Sequence, residues 1–306
     1  MIKLYAAPLQ GFTEAPWRNA HHDIFGGIDA YYTPFVRVER GEFRNKELRE
    51  IEQEENTVPH LIPQLIASRP AELEALVGLF MEKGYREANI NMGCPFPLVT
   101  GQRKGAGILP YPSEVEALMQ ELVHYPEMKF SIKMRLGSSY ADEWKAVLPL
   151  LNKVNLQRII LHPRTGKQQY KGEANRQQFA AFYEACTHPL VYNGDLMTVD
   201  DIHRLECDFP YLEGIMLGRG LLGRPSLATE YREGIALSEE DLLVKVRELH
   251  ERLYRHYEGY LQGEAQLLNK MKTCWEYLLP DMEKKLRKAI LKSTRIDKYL
   301  LAVSQV

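Results

Sequence analysis

The sequence predicts an α/β protein, a (β/α)8 TIM barrel followed by a small all-α C-terminal domain. Short β-rich runs alternate with helical stretches eight times over roughly 230 residues, the number and size expected of such a barrel. Polar residues follow nearly every predicted strand at its carboxyl end, and after Gly220 only helical periodicity continues. A doubly wound sheet is the competing architecture, but it does not explain polar residues at so many strand ends.

The predicted strands are short runs bounded by turn-forming residues, and the predicted helices carry apolar residues at helical spacing. The strands are Lys3–Ala7, Ala30–Val36, His60–Ile66, Glu87–Asn91, Lys129–Arg135, Gln157–His162, Leu190–Asn193 and Gly214–Leu217. The clearest helices between them are Ala71–Lys83, Ser113–His124, Asp142–Lys153 and Thr198–Leu205. Ser113 with Glu116, and Thr198 with Asp201, have the spacing of a capping box at a helix start.

The region after the barrel is predicted to be a helical domain. Ser238 is a good start signal for an amphipathic helix whose apolar face includes Leu242 and Leu249. Two further helices are predicted at Leu267–Leu279 and Met282–Arg295. We therefore divide the chain into a barrel domain, residues 1–235, and a helical domain, residues 236–306.

Composition narrows the class of protein. The 306 residues are 45% hydrophobic and 26% charged, which is ordinary for a globular enzyme. No apolar run approaches the ~20 residues that span a bilayer, and the N-terminus does not resemble a signal peptide. The four cysteines show no metal-ligand or disulfide spacing. We expect a reduced, cytoplasmic protein without metal or membrane contact, and a monomer by default.

The charge is unevenly distributed along the chain. The formal net charge of −2 argues against indiscriminate binding of nucleic acids. Between Lys270 and Lys298, however, nine Lys or Arg face only four Asp or Glu, so this segment is basic. A basic patch of this kind can attract a polyanion locally, and a solvated helix face is the equally weighted alternative.

The most informative motif is Asn91-Met-Gly-Cys-Pro95, which places one cysteine at the end of a predicted strand. Glycine permits unusual backbone conformations and proline fixes the exit angle of the chain, so the Cys94 thiol is held at a corner. A glycine-rich loop, residues 101–107, follows. A buried cysteine that only fills space is the alternative for a random cysteine. The surrounding glycines and proline instead favour an acid or a nucleophile.

The polar strand ends are suited to a flavin mononucleotide. Asn193-Gly-Asp195 and Gly218-Arg-Gly220 follow the last two strands, where barrels bind phosphate with backbone N–H groups and a guanidinium. Lys133 would place its charge beside the electron-rich end of a reduced isoalloxazine. Gln64 and Asn91 would hydrogen-bond the pyrimidine edge of the ring. For any one of these residues a purely structural role is the alternative. Because several of them meet at the same end of the barrel, together they favour a bound cofactor.

Six motifs resemble the tRNA-dihydrouridine synthase family, in the family's order and at family-like spacing. They are Ala7-Pro-Leu-Gln-Gly11, Asn91-Met-Gly-Cys-Pro95, Lys133-Met-Arg-Leu-Gly137, His162-Pro-Arg-Thr165, Asn193-Gly-Asp195 and Gly218-Arg-Gly220. The resemblance covers essentially the whole chain. It implies an enzyme that uses tightly bound FMN, with NADPH as reductant, to reduce the C5=C6 bond of uridine in tRNA. Cys94 matches the family's general acid, which protonates C5.

The resemblance also implies the roles of other residues. The expected cofactor-binding residues are Pro8, Leu9, Gln64, Lys133, His162, Asn193, Gly194, Asp195, Gly218 and Arg219. The expected substrate-binding residues in the barrel are Asn91, Arg135 and Arg164. With a folded RNA as substrate, the basic tail would position its phosphates through Lys270, Lys272, Lys284, Lys288, Lys292 and Arg295. For Trp275 in this tail, helix packing is favoured over contact with RNA.

Three alternatives stay open at this point. The RNA could be ribosomal RNA rather than tRNA. The barrel could reduce a free pyrimidine or an enone, although such a small molecule would leave the basic tail without a purpose. The chain could also be an RNA-binding protein whose redox site is vestigial. The sequence does not indicate which uridine is reduced, whether NADH can replace NADPH, or the oligomeric state.

Overall fold

The structure is a computed structural model that describes residues 2–306. Its strands are β1 Lys3–Ala6, β2 Ala30–Tyr32, β3 Val38–Glu39, β4 Glu42–Phe43, β5 Leu61–Ile62, β6 Gln64–Leu65, β7 Glu87–Met92, β8 Lys129–Gly137, β9 Arg158–Thr165, β10 Leu190–Tyr192 and β11 Gly214–Leu217. All except β3 and β4 belong to one parallel sheet in the order β5-β2-β1-β11-β10-β9-β8-β7-β6. The TIM-barrel prediction is confirmed.

The third predicted strand is divided into two short strands that pair with different neighbours, and this division closes the barrel. The sequence predicts one strand from His60 to Ile66, but Pro63 has no N–H to donate and divides it into β5 and β6. β5 pairs with β2 and β6 pairs with β7, so the two halves form the two ends of the sheet. The predicted strand Ala30–Val36 is also shorter, because β2 ends at Tyr32.

The helices cover the outside of the barrel and continue beyond it. They are α1 Ala15–Ile24, α2 Asn45–Arg49, α3 Pro70–Glu82, α4 Pro97–Thr100, α5 Pro112–Glu121, α6 Trp144–Leu151, α7 Arg176–Ala185, α8 Val199–Asp208, α9 Arg219–Gly223, α10 Leu227–Glu233, α11 Glu239–Tyr260, α12 Glu264–Cys274, α13 Lys284–Leu291 and α14 Ile296–Val303. Short 3-10 turns lie at Gln53–Glu55, Gly105–Ile108 and Leu122–His124. The main apolar core lies between the sheet and these helices.

The amino-terminal end of the barrel is filled by side chains. Tyr5 and Tyr32 pack edge to face with ring centroids 5.9 Å apart. Beside them the Arg158 guanidinium pairs with Glu87 at 2.6 Å and with Glu213 at 3.5 Å. Because the described residues 2–306 pack this end, a ligand would enter the barrel at its carboxyl end.

The C-terminal helices differ from the prediction in number and bounds. Ser238 caps α11 as predicted, its side chain accepting from Asp241 N at 3.0 Å. The predicted helix Leu267–Leu279 is α12, which ends at Cys274. The predicted helix Met282–Arg295 is wrong in its bounds, because α13 ends at Leu291 and the unpredicted α14 follows. The division between residues 235 and 236 stays a prediction. Within residues 2–306, no helix is both long and apolar enough to cross a membrane.

Candidate functional site

A cavity of about 480 Å³ opens at the carboxyl ends of the barrel strands. This volume lies within the ~300–1,000 Å³ range of small-molecule sites. All ten residues predicted to bind the cofactor line it, together with Asn91, Cys94 and Arg135. Arg164 lies behind this lining, and none of the six predicted basic residues of the tail reaches it.

A directed chain of amides lies beneath Cys94. The Asn91 side-chain oxygen accepts from the backbone N–H groups of Gly93 at 3.0 Å and Cys94 at 2.8 Å. Its amide nitrogen must then donate to Gln64 Oε1, at 2.8 Å. Gln64 Nε2 in turn donates to Asn89 Oδ1 at 2.7 Å, and Asn89 Nδ2 donates to Ser131 Oγ at 2.9 Å. The barrel interior therefore fixes the position of the loop that carries the thiol.

The Cys94 thiol is held in its neutral form. Burial raises its pKa above the ordinary cysteine value, partly offset by a hydrogen bond from Phe96 N and by the Arg135 charge. A neutral thiol beside a cavity can donate a proton, whereas a nucleophilic cysteine needs a lowered pKa. The arrangement therefore favours a general acid over a nucleophile.

The glycine-rich loop packs against the back of the Cys94 corner. Ala106 N donates to Cys94 O at 3.0 Å. Gly105 has a φ of +59°, and a Cβ at this position would lie 2.6 Å from Cys94 O. A side chain is therefore excluded here both by backbone conformation and by space.

We expect Gly105→Ala to displace the Cys94 loop and to lower the free energy of unfolding by about 2 kcal/mol, because both the left-handed φ and the close carbonyl oppose a methyl group. Thermal unfolding and the rate of Cys94 alkylation measure the two effects. Gly78→Ala is the matched control, since a methyl group there would meet nothing within 4 Å outside its own helix, and α3 favours alanine. Equal behaviour of the two variants would contradict the expectation.

Lys133 is a cation without a partner in the cavity. Among residues 2–306 its ammonium group, which lines the cavity, has no hydrogen-bond or ion-pair partner. Burial, with a smaller effect of the nearby Arg135 charge, lowers its pKa to about 7. An unpaired amine in such a place is suited to an anionic or electron-rich ligand.

His162 and Arg135 lie on neighbouring strands in register. His162 is neutral, because burial and then the Arg135 charge hold its pKa well below the ordinary value. Its Nε2 accepts from Arg164 Nη1 at 3.1 Å, which leaves Nδ1 as the protonated nitrogen. Arg135 donates to three backbone carbonyls, of Gly93, Thr165 and Gln169, and so connects the Cys94 loop to the loop after β9.

Asp195 holds two arginines at the phosphate-binding end that the sequence predicts. Arg164 binds both of its carboxylate oxygens, at 2.9 and 2.5 Å, and Arg219 binds one at 2.8 Å. These hydrogen bonds, led by that from Arg164, hold the Asp195 pKa below its ordinary value against the opposing effect of burial. The buried Arg164 thus orients Asp195 and His162 from behind, and Arg219 remains at the cavity surface.

The predicted basic residues of the tail fall into two groups. Lys270 is half-buried against the barrel, where its ammonium pairs with Glu14 at 2.6 Å and Gly11 O at 2.8 Å. Lys272 donates to Ser293 O inside the tail. The remaining four are exposed, although Arg295 pairs with Asp297 at 2.7 Å. Lys288 and Lys292 line one open groove together with Lys285 and Lys298. Trp275 is buried and donates to Tyr299 OH at 2.8 Å, so helix packing is confirmed for it.

Several residues of the cavity were not predicted from the sequence. Tyr170 stands over the Arg219 guanidinium at 4.8 Å and its ring centroid is 6.2 Å from that of His162. Arg37, Arg44 and Lys46, from the β3–β4 hairpin and α2, form part of the rim. Tyr170, Arg37 and Arg44 lie on loops, and Lys46 lies on the short helix α2, so periodicity gives no signal for them. The rim also includes two exposed apolar residues, Phe96 and Leu98.

No group of three or more His, Cys, Asp or Glu within residues 2–306 is arranged to hold a metal ion. The fold and the site together describe a barrel enzyme with a neutral thiol, an unpaired amine and a neutral imidazole in one cavity. The position of this cavity, at the carboxyl ends of the strands, is that of TIM-barrel active sites.

Comparison with known proteins identifies the family. The family model described as Dihydrouridine synthase matches residues 5–301, so the chain belongs to the dihydrouridine synthase family and is an oxidoreductase. Proteins named tRNA-dihydrouridine synthase B from Shigella flexneri and Escherichia coli (strain K12) are each 26% identical over 273 residues, covering 84% of this chain and 83% of theirs. The protein of the same name from Proteus vulgaris is 24% identical over 279 residues, covering 89% of this chain and 85% of its own.

Two solved structures share the barrel fold at low sequence identity. Morphinone reductase aligns with a TM-score of 0.50 at 12% identity, covering 78% of this chain and 88% of its own. Histamine dehydrogenase from Rhizobium sp. 4-9 aligns with a TM-score of 0.53 at 11% identity, covering 89% of this chain and 49% of its own. They support the fold alone.

Proposed function

We propose that this protein reduces the C5=C6 bond of uridine in tRNA to 5,6-dihydrouridine, with FMN as cofactor, NADPH as reductant and Cys94 as general acid. The observation that carries the proposal is the neutral Cys94 thiol in the same cavity as the unpaired Lys133. The family match supports uridine as the group reduced. A cytoplasmic location follows from a tRNA substrate.

The cavity residues fit a flavin mononucleotide. Lys133 has a half-buried, unpaired ammonium that suits the electron-rich end of the isoalloxazine. Arg219, with the backbone of Asn193, Gly194 and Gly218, suits the phosphate, and the cavity has the volume of a cofactor site. Pro8 and Leu9 supply apolar surface for the ring system. When bound, the flavin would supply two electrons and one proton, and NADPH would restore it.

The residues of this chain supply the remaining hydrogen and the orientation. The Cys94 thiol donates its proton to C5 while C6 receives the other hydrogen, so the product gains two hydrogens and leaves a thiolate that solvent reprotonates. Asn91 holds the loop in place through Gly93 N and Cys94 N. Arg135 connects this loop to the one that follows β9. Asn91 and Arg135 also line the cavity, where a uracil ring would contact them.

The charge of the cavity favours an RNA substrate over a free base. Six Lys or Arg line it against two carboxylates, from Glu47 and Asp195. The groove formed by Lys285, Lys288, Lys292 and Lys298 adds a second basic surface on the tail. Phosphate contacts of this kind position RNA without reading its sequence, and they support RNA as the ligand of both surfaces.

Nucleoside mass analysis tests the proposed function. The flavin-loaded protein is incubated with NADPH and unmodified tRNA, and separately with ribosomal RNA and with free uridine. We expect a gain of two hydrogens on uridine in tRNA. A gain of two hydrogens only in ribosomal RNA would make ribosomal RNA the substrate. A gain only in free uridine would favour a small-molecule reductase. No gain from a protein that oxidises NADPH would refute uridine reduction.

The two groups of tail lysines predict two different phenotypes. We expect Lys288→Met to lower the salt dependence of tRNA binding by about one unit of log K per log salt, because Lys288 is exposed in the basic groove. Lys270→Met is expected to lower the melting temperature instead, since it removes one of the two lysine partners of Glu14, the one that joins the tail to the barrel. Salt titrations of tRNA affinity and thermal unfolding separate the two. Identical phenotypes would contradict the assignment.

A further inference from the structure

Two apolar side chains stand exposed at the mouth of the catalytic cavity. Phe96 is 64% exposed and Leu98 is 86% exposed, and both line the cavity. They follow Cys94 by two and four residues, so they belong to the same corner as the proposed acid. Exposed aromatic and aliphatic groups beside a substrate cavity point to a contact made only with the ligand present.

The segment that carries these side chains is held firmly to the barrel. Val99 is buried in a cluster with Phe35 and Ile66. Val99 N and Thr100 N both donate to Phe96 O at 2.9 Å, and Lys104 N donates to Val99 O at 3.2 Å. Pro97 begins the short helix α4 and restricts the backbone between the two side chains. Phe96 and Leu98 therefore project from an anchored support.

The surroundings indicate the chemistry of the partner. The rim that carries Phe96 and Leu98 also carries Arg37, Arg44 and Lys46, and the cavity as a whole has a cationic lining. A polyanion fits this charge, but phosphate does not bind apolar side chains. The part of a nucleic acid that does so is the flat face of a base, which stacks on aromatic rings.

Extrusion of a uridine creates a need for such side chains. A base that leaves a stacked RNA exposes the faces of its two neighbours, at a cost of a few kcal/mol. Proteins that unstack nucleic acids insert apolar wedges, often Phe or Leu, between the bases.

We propose that Phe96 and Leu98 form an apolar wedge that packs on the bases flanking the extruded uridine. This inference rests on the proposed reduction of uridine in folded RNA, and it assigns a positioning role to the two residues.

The test compares substrates with and without a stack to open. We expect the double variant Phe96→Ala/Leu98→Ala to lose roughly 10- to 100-fold in kcat/KM on folded tRNA. On a short single-stranded oligonucleotide that contains uridine, it should lose markedly less than on folded tRNA, because no stack has to be opened and only the packing on the flanking bases is lost. Val123→Ala is the matched control, an apolar residue 74% exposed in the 3-10 turn Leu122–His124, which does not line the cavity. It should change neither rate.

Equal losses on both substrates would overturn the wedge, because they would show an effect on the chemistry or on the Cys94 loop. No loss on either substrate would overturn it as well. Flavin content and melting temperature are measured for each variant, and the single variants Phe96→Leu and Leu98→Ala replace the double one where it does not fold.

Photo-cross-linking provides a readout that does not depend on turnover. A tRNA transcript made with 4-thiouridine is irradiated with the flavin-loaded protein, and the cross-linked peptides are identified. The wedge predicts a cross-link within the peptide that contains Phe96 and its loss in the double variant. Cross-linking without reduction of any uridine would refute the proposed function and retain the contact. Reduction without a cross-link at this peptide would refute the wedge alone.

Discussion

Replacing Cys94 with alanine is expected to lower the rate of uridine reduction by about 10²- to 10⁴-fold, the usual contribution of a general acid. The methyl group is smaller than the thiol and removes no partner of the flavin, so FMN content and tRNA affinity should persist. A single-turnover reaction of flavin-reduced protein with tRNA, followed by nucleoside mass analysis, measures the step. An unchanged rate would exclude Cys94 as the acid.

The pH dependence of the reduction rate is a second test of Cys94 as the acid. Because burial raises the Cys94 pKa, the thiol stays protonated through neutral pH, and the rate should fall only as the pH rises through this elevated value. The Cys94→Ala variant should lose this alkaline decline. Cys207→Ala is the control, since Cys207 is exposed on α8 and does not line the cavity. It should retain both the rate and the profile.

Replacing Lys133 with methionine is expected to weaken the binding of reduced flavin more than the binding of oxidised flavin. Its positive charge would stabilise the negative charge that reduction adds to the isoalloxazine. Loss of about 1.4–2.8 kcal/mol of this stabilisation would lower the two-electron midpoint potential by roughly 30–60 mV. Redox titration of bound FMN measures the shift. Lys129→Met is the matched control, because Lys129 is exposed at the start of the same strand.

The lowered pKa of Lys133 predicts that the stability of the flavin-free protein depends on pH. Its pKa is lowered from 10.5 to about 7, so between these values the unfolded chain binds a proton that the folded protein does not. Stability should therefore rise with pH across this range, relative to Lys133→Met. Chemical denaturation of both proteins at neutral and alkaline pH measures the difference. A constant difference would show that Lys133 titrates near its ordinary pKa.

The barrel was predictable because each strand carries a local apolar pattern, and the site because polar residues recur at the carboxyl ends of these strands. The capping box at Thr198 was predicted correctly for the same reason, since its two hydrogen bonds join residues three apart. The capping box at Ser113 was wrong. Pro112 begins α5 one residue earlier, and no side chain caps that helix.

The features that escaped prediction depend on contacts between distant parts of the chain. Lys270 belongs to a basic segment, yet its partner Glu14 lies at the other end of the sequence. Tyr170 reaches the cavity from a loop without periodicity. Arg164 has the same charge as Arg135, but a carboxylate from the following strand end engages it. Charge and spacing show which groups are present, whereas only the folded chain shows which are already paired.

The directed amide chain from Ser131 to Cys94 has a consequence for how proteins of this kind diversify. Each donor in it has one acceptor, and its side chains belong to the barrel interior, so the position of the Cys94 thiol is set without any contact to RNA. A change of target then requires no change in this amide chain, and could arise by mutation of the cavity rim and the tail alone.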